Sequence, residues 1–148
     1  MKTRNRFPFP HTKLDVFAVA VRMTQQAAKV AASIPRGHRN VADHLRRSAD
    51  NTVLLTSEGI NRYNAAGKRQ RYSEARGEAG EVAAAASLCE AHGWGCREQL
   101  ETLQQLAGRV GAMLTKMGAA PALNIQAARF SSAPSPDFDT STVRPRNS

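Results

Sequence analysis

An all-α chain follows from three features of the sequence, folded as an antiparallel up-down-up-down four-helix bundle with an extended N-terminal arm and a flexible C-terminal tail. Four stretches place apolar or small residues at three- and four-residue steps, which set one face of an α-helix against a core. Period-two alternation of β-branched residues is missing, so nothing reads as a sheet. Alanine does much of the apolar work while aromatics make up only 5% of the chain, and alanine favours helix over strand. A length of 148 residues fits one domain with tails to spare. The expected division is an arm over residues 1–11, a bundle over 12–118 and a disordered tail over 119–148.

Pro8 and Pro10 sit among basic and aromatic residues and make the first eleven positions read as extended. Phe7 and Phe9 are candidates for docking on the body. Thr12 opens the first helix in a capping-box-like Thr-x-x-Asp with Asp15. Its apolar positions are Leu14, Phe17, Ala20, Val21, Ala27, Ala28, Ala31 and Ile34, and Pro35 with Gly37 stops it.

Asn40 reads as the cap of a second helix, which continues through Val41, Leu45, Ala49, Thr52, Val53 and Ile60. Asn51 and Thr56 fall near its inward side, where a buried polar group without a partner costs about 1–3 kcal/mol. Asn64 reads as the cap of a third helix, from about Ala65 to Ala91, with a stripe of Tyr72, Ala75, Ala79, Val82, Ala83, Ala86 and Cys89. Gly67, Gly77 and Gly80 each cost about 1 kcal/mol of propensity there, which implies a close neighbouring backbone. The tight turn His92-Gly93-Trp94-Gly95 follows; Trp94 reads as a packing cap over the bundle end. The fourth helix, roughly Cys96 to Met117, has the clearest period: Leu100, Leu103, Ala107, Val110, Leu114 and Met117, with Gly118 as its end. Residues 119–148 turn to Ser, Pro, Asp and Thr, a composition with little to bury. Within them, the piece at 123–130 has enough apolar character to dock.

The charge is lopsided. Lys and Arg exceed Asp and Glu by nine over the chain, but residues 1–76 hold 15 basic and 5 acidic residues, and residues 77–148 hold 6 and 7. A basic half points to a polyanionic partner or to solubility alone. No stretch reaches the ~18 apolar residues of a membrane span, and the N-terminus lacks the apolar segment of a secretory signal. Two cysteines, Cys89 and Cys96, read as free thiols, and the expected compartment is the cytoplasm.

The candidate nucleic-acid-binding residues are Arg46, Arg47, Arg62, Lys68, Arg69, Arg71 and Arg76, on the second and third helices and their junction. Lys and Arg hold phosphates by charge and, for Arg, by a bidentate fork. Only Tyr63 and Tyr72 are interleaved with them, so base stacking is poorly supported, and a solvated face is the competing reading. Arg46 and Arg47 lie roughly 100° apart on a helix, so at most one points inward. Arg47 could pair with Glu81 inside the bundle, and Glu58 reads as a buried carboxylate partnered by an arginine. Cys89, His92 and Cys96 offer three zinc ligands where structural sites take four. No nucleophile with its base, phosphate loop or cofactor site is evident.

Two blocks carry a family resemblance. His44-Leu45-Arg46-Arg47-Ser48-Ala49 is similar to a Q-L-R-R-A/S-A block, and Leu55-Thr56-Ser57-Glu58-Gly59, followed by Arg62, to N-I-A-E-G and its arginine. A third, Ala75-Arg76-Gly77-Glu78-Ala79-Gly80-Glu81, is similar to A-R-G-S-L-x-E. The chain thus resembles the small bacterial four-helix-bundle proteins first noticed in intervening sequences of large-subunit ribosomal RNA genes. The likeness is gapless from about Leu14 to Gly93 and looser to Gly118. Leu55 replaces the family asparagine, His44 the glutamine and Glu78 a serine. A relative in that family is the accessory variability determinant protein of diversity-generating retroelements, a basic pentamer that binds its reverse transcriptase and nucleic acid.

The resemblance implies a non-catalytic adaptor for nucleic acid or for a nucleic-acid enzyme, assembled as a homo-oligomer, with a pentamer as the relative's arrangement. It assigns structural roles to Glu58, Gly59 and Glu81. The alternative is a protein-interaction or self-assembly module without a nucleic-acid role, in which the small-residue stripe serves assembly.

Overall fold

A computed structural model describes residues 9–120 of the chain. A 3-10 turn, Pro10–Lys13, leads into α1 (Asp15–Ala32), and a second 3-10 turn, Arg36–His38, leads into α2 (Arg39–Asn61). Then come α3 (Ala65–His92) and α4 (Arg97–Ala119). There is no strand among the described residues. Each helix packs on two others, in the cyclic order α1, α2, α3, α4.

Cross-helix contacts define the directions. Thr24 Oγ1 of α1 donates to Ala49 O of α2 at 3.2 Å, and Asn61 Nδ2, at the far end of α2, donates to His11 Nδ1 at 2.8 Å, ahead of α1. Between α2 and α3, Ser48 meets Glu81, Asn51 meets Glu78 and Glu58 meets Arg71. In both sets one residue number falls as the other rises, so α1 and α2, and likewise α2 and α3, run in opposite directions. At roughly 1.5 Å per residue, α2 spans about 35 Å. The α1–α2 and α3–α4 links therefore share one end of the bundle, and the α2–α3 turn lies at the other.

The core follows the expected steps closely in α4, where Leu100, Leu103, Leu106, Ala107, Val110 and Leu114 are buried. In α3 the stripe Tyr72, Ala75, Ala79, Val82, Ala86 and Cys89 is buried together with Ala85. Burying a full Leu or Val side chain contributes roughly 1.5–3 kcal/mol, so these rows hold the helices together. The α3 stripe is thus consumed inside the bundle and offers no assembly surface.

Several local expectations are corrected. The buried face of α1 is Val16, Val19, Ala20, Met23, Ala27, Val30 and Ala31; Leu14 and Ala28 are exposed. Thr12 caps nothing in α1: its hydroxyl donates to Phe9 O at 2.8 Å, closing the first 3-10 turn, and Leu14 is the N-cap. Residues 10 and 11 are therefore not extended. Phe9 is exposed and stacks on His11, while Phe7, residues 1–8 and the piece at 123–130 lie outside the described residues. Asn40 lies inside α2, whose N-cap is His38. Gly118 is inside α4 rather than at its end. Gly77 and Gly80 meet nothing within 4 Å of where a β-carbon would stand, and Gly67 meets only the side chains of Arg62 and Asn64. The close approach is at Gly59 instead. The Asn64 cap does form, its side chain accepting from Gly67 N.

At the end shared by the two links, Gly93 and Gly95 take positive φ angles of 71° and 81°, a region that glycine enters at no steric cost. This turn lets Trp94 pack against the core, as a cap should. No helix is long and apolar enough to cross a membrane among the described residues.

Candidate nucleic-acid interface

The seven basic candidates separate once their neighbours are known. Arg71 is spoken for: its Nε lies 3.1 Å from Glu58 Oε2, and its Nη1 is 2.6 Å from Glu74 Oε2. The hydrogen bond to Glu74, followed by the charges of Glu74 and Glu58, holds the guanidinium pKa above its ordinary value against the cost of burial. A cation so held has little attraction left for a phosphate, which corrects its placement on a free face. Glu58 does take an arginine partner, but it is exposed rather than buried.

Lys68 is also occupied. Its Nζ donates to Ile60 O at 2.7 Å and to Gly59 O at 3.4 Å. These carbonyls end α2, where the helix dipole favours a positive charge. Lys68 therefore closes α2 from the first turn of α3.

Arg47 does not reach Glu81. Its Nη2 donates to His44 Nδ1 at 3.2 Å, and His44 Nε2 lies 3.1 Å from Glu81 Oε2. Ser48 Oγ donates to the same carboxylate oxygen at 2.9 Å. The inward ion pair expected of Arg47 is replaced by a relay through histidine, and Glu81 is exposed. Arg46 is exposed and has Asp43 at 3.9 Å, a separation at which an exposed pair contributes little.

Arg62, Arg69 and Arg76 remain exposed, and none has a carboxylate within 4 Å among the described residues. Arg69 and Arg76 are seven residues apart on α3, two turns along one face. They flank a cleft of about 210 Å³ between α3 and α4, floored by Tyr72 and Leu114. Arg62 precedes Tyr63, whose ring is fully exposed at the α2–α3 turn. Tyr72, in contrast, is buried, and burial pushes its hydroxyl pKa up. Of the two tyrosines noted in the sequence, only Tyr63 faces solvent.

Sequence reasoning missed a second cationic group. Arg36, Arg39 and Arg46 line a cleft of about 490 Å³ at the α1–α2 link, beside Ile34 and Pro35. The signal was present as Pro-Arg-Gly-His-Arg, two arginines in an interhelical link. It was overshadowed by the Pro and Gly that mark the helix end.

No three His, Cys, Asp or Glu side chains gather as a metal site among the described residues. Cys89 is buried and Cys96 is exposed.

Residues 12–116 match the family described as 23S rRNA-intervening sequence protein. No curated protein matches the chain.

Proposed function

The chain belongs to the 23S rRNA-intervening sequence protein family, and from that premise we propose that it is a non-catalytic adaptor, working as a homo-oligomer, that binds nucleic acid by its phosphate backbone, a nucleic-acid enzyme such as a reverse transcriptase, or both. The observation that carries this reading is the set Arg62, Arg69 and Arg76, exposed and with no carboxylate within 4 Å among the described residues. Arg69 and Arg76 stand on α3 and Arg62 caps α2, so the backbone is already ordered and the ordering cost of binding is that of the side chains, about 0.5–1.5 kcal/mol each. Contact with phosphates releases counterions and makes affinity fall as salt rises.

Retention of duplex and single-stranded nucleic acid by the folded protein, measured over a range of salt, tests the reading. Charge reversal at Arg62, Arg69 and Arg76 together should abolish retention at low salt. Replacing one of them by Gln should lower the slope of log K against log salt by about 0.9 on a duplex. Equal retention by the folded triple variant would refute the proposal.

A self-assembly reading is favoured by one different observation. Leu54 and Leu88 are exposed, and each lines a groove beside α2: Leu88 with Ala84 and Val41, Leu54 with Val21 and Val53. Assembly through these faces is compatible with the adaptor role and leaves Arg62, Arg69 and Arg76 free.

A further inference from the structure

We propose that the end of the bundle carrying the two interhelical links holds an unpaired nucleotide, its phosphate in the arginine cleft and its base on a small aromatic cluster. The inference rests on the nucleic-acid reading above and narrows it to single strands at a second site.

The phosphate part is the cleft of Arg36, Arg39 and Arg46. Three arginines line about 490 Å³ of open space, and among the described residues the one carboxylate within 4 Å of their charged groups is that of Asp43, at 3.9 Å from Arg46. Arg36 and Arg39 are exposed and have no ion-pair partner among the described residues. Arginine forks match phosphate oxygens in pairs. A solvated set of like charges without counter-charges repels itself, and an entering phosphate dianion or diester relieves that repulsion.

The base part is one residue away. His38 lies between Arg36 and Arg39 in the second 3-10 turn, and its ring centroid is 4.5 Å from that of Trp94. Trp94 in turn lies 4.3 Å from His92, nearly parallel at 13°. His38 is tilted 44° to Trp94 and its centroid lies 6.0 Å from that of His92, so the three rings form a cluster in which His38 and His92 are exposed and Trp94 is half-buried against the core. A cap that only closed the bundle end would need Trp94; it would not need two solvent-facing imidazoles, one stacked on it and one tilted against it. Unpaired bases stack on such rings, histidine included, whereas the bases of a duplex are already stacked on one another. Pro35, Arg36 and Arg39 line the cleft and His38, between them in sequence, belongs to the aromatic cluster, so the two features adjoin along one segment of chain.

Trp94 is the single tryptophan of the chain, so its fluorescence reports this end alone. The test titrates the full chain with a short single-stranded oligouridylate, with an abasic strand of the same length, and with a duplex of that length. The single strand should quench Trp94 and bind ~5- to 150-fold more tightly than the abasic strand, the range for one stacked base. Arg36→Ser with Arg39→Ser should weaken the single strand and spare duplex retention through Arg62, Arg69 and Arg76. His38→Ala with His92→Ala should bring the single strand down to the abasic level. The arginine variant and the abasic comparison do not disturb the rings, so the result stands even where the histidine variant fails to fold. A duplex that still binds through Arg62, Arg69 and Arg76, with no quenching by the single strand, overturns this inference and leaves the broader reading intact. Absence of binding by every strand overturns both.

Discussion

A β-carbon placed on Gly59 would stand 2.6 Å from Cε1 of Tyr72 and 2.8 Å from its Cδ1. The ring of Tyr72, buried on α3, meets the bare backbone of α2 with its Cδ1–Cε1 edge. Glycine costs about 1 kcal/mol of helix propensity here, and this contact is what offsets it. Overpacking a core costs typically 1–3 kcal/mol, so Gly59→Ala should destabilise the bundle by a net amount on the order of 1 kcal/mol. Arg71 Cβ, at 3.1 Å, adds to the crowding. Urea unfolding checks this. In a Tyr72→Val background the penalty of the same substitution should shrink, because the ring atoms are gone. An equal penalty in both backgrounds would rule out the ring as its cause.

Arg71 ties α2 to α3, and the sign of its pH effect can be worked out. Glu74 is held below the ordinary carboxylate range, first by the hydrogen bond from Arg71 and then by its charge, with smaller help from Gln70 and Arg62, against desolvation. A depressed carboxylate stabilises the fold fully above its unfolded value, and that stability drains away as pH falls through the folded value. Arg71→Gln should therefore lower the melting temperature at neutral pH and flatten its decline on the acid side of the usual glutamate range. Nucleic-acid retention should change far less than in Arg69→Gln.

Lys68 and Arg69 are neighbours with opposite assignments. Lys68 donates to the last carbonyls of α2; Arg69 faces the α3–α4 cleft. A charge at a helix C-terminus contributes about 0.3–1 kcal/mol. Lys68→Met should cost a stability of that order, read by urea unfolding, while Arg69→Met should leave the unfolding midpoint in place and weaken nucleic-acid retention. Reversed outcomes would mean that the two side chains exchange roles in solution.

The hydroxyl of Thr56 is buried and without a partner, whereas Thr52 Oγ1 donates to Ser48 O at 2.8 Å. The same chemical change should therefore act in opposite directions one turn apart. Thr56→Val removes an unsatisfied polar atom, whose burial costs about 1–3 kcal/mol, and should raise the unfolding midpoint. Thr52→Val loses a bond of about 1 kcal/mol and should lower it. Parallel shifts of the two midpoints would refute the contrast.

How much of this was legible depends on how exclusive each pattern is. In α4 the large apolar residues lie on one face, so Leu100, Leu103 and Leu114 announced the core. In α1 the run Val16-Phe17-Ala18-Val19-Ala20-Val21 is apolar all round, and two overlapping stripes fit the same steps. The neighbouring helices select the one with Met23 and Val30. Asn64 was legible as a cap because its partner is three residues on. Thr12 was not, because Pro10 sets up a 3-10 turn that takes the hydroxyl first. The pairing of Arg71 with Glu58 depends on the register of α2 against α3, and no local spacing encodes it. The cluster of His38, His92 and Trp94 likewise joins two corners of the bundle more than fifty residues apart in the chain.

The two thiols offer a probe of the α3–α4 corner. Cys89 is buried in the core, and burial pushes its thiol pKa above the ordinary value, so little thiolate is present near neutral pH. Cys96, the N-cap of α4, is exposed. A thiol-specific disulfide reagent should therefore modify Cys96 promptly in the native protein and reach Cys89 only as the bundle opens. Peptide mapping after a brief exposure separates the two. The slow phase should speed up with urea in step with unfolding, since attack on Cys89 needs both solvent access and ionisation. Equal rates at both cysteines would mean that the last turn of α3 opens independently of the core, and with it the turn that holds Trp94 against His38 and His92.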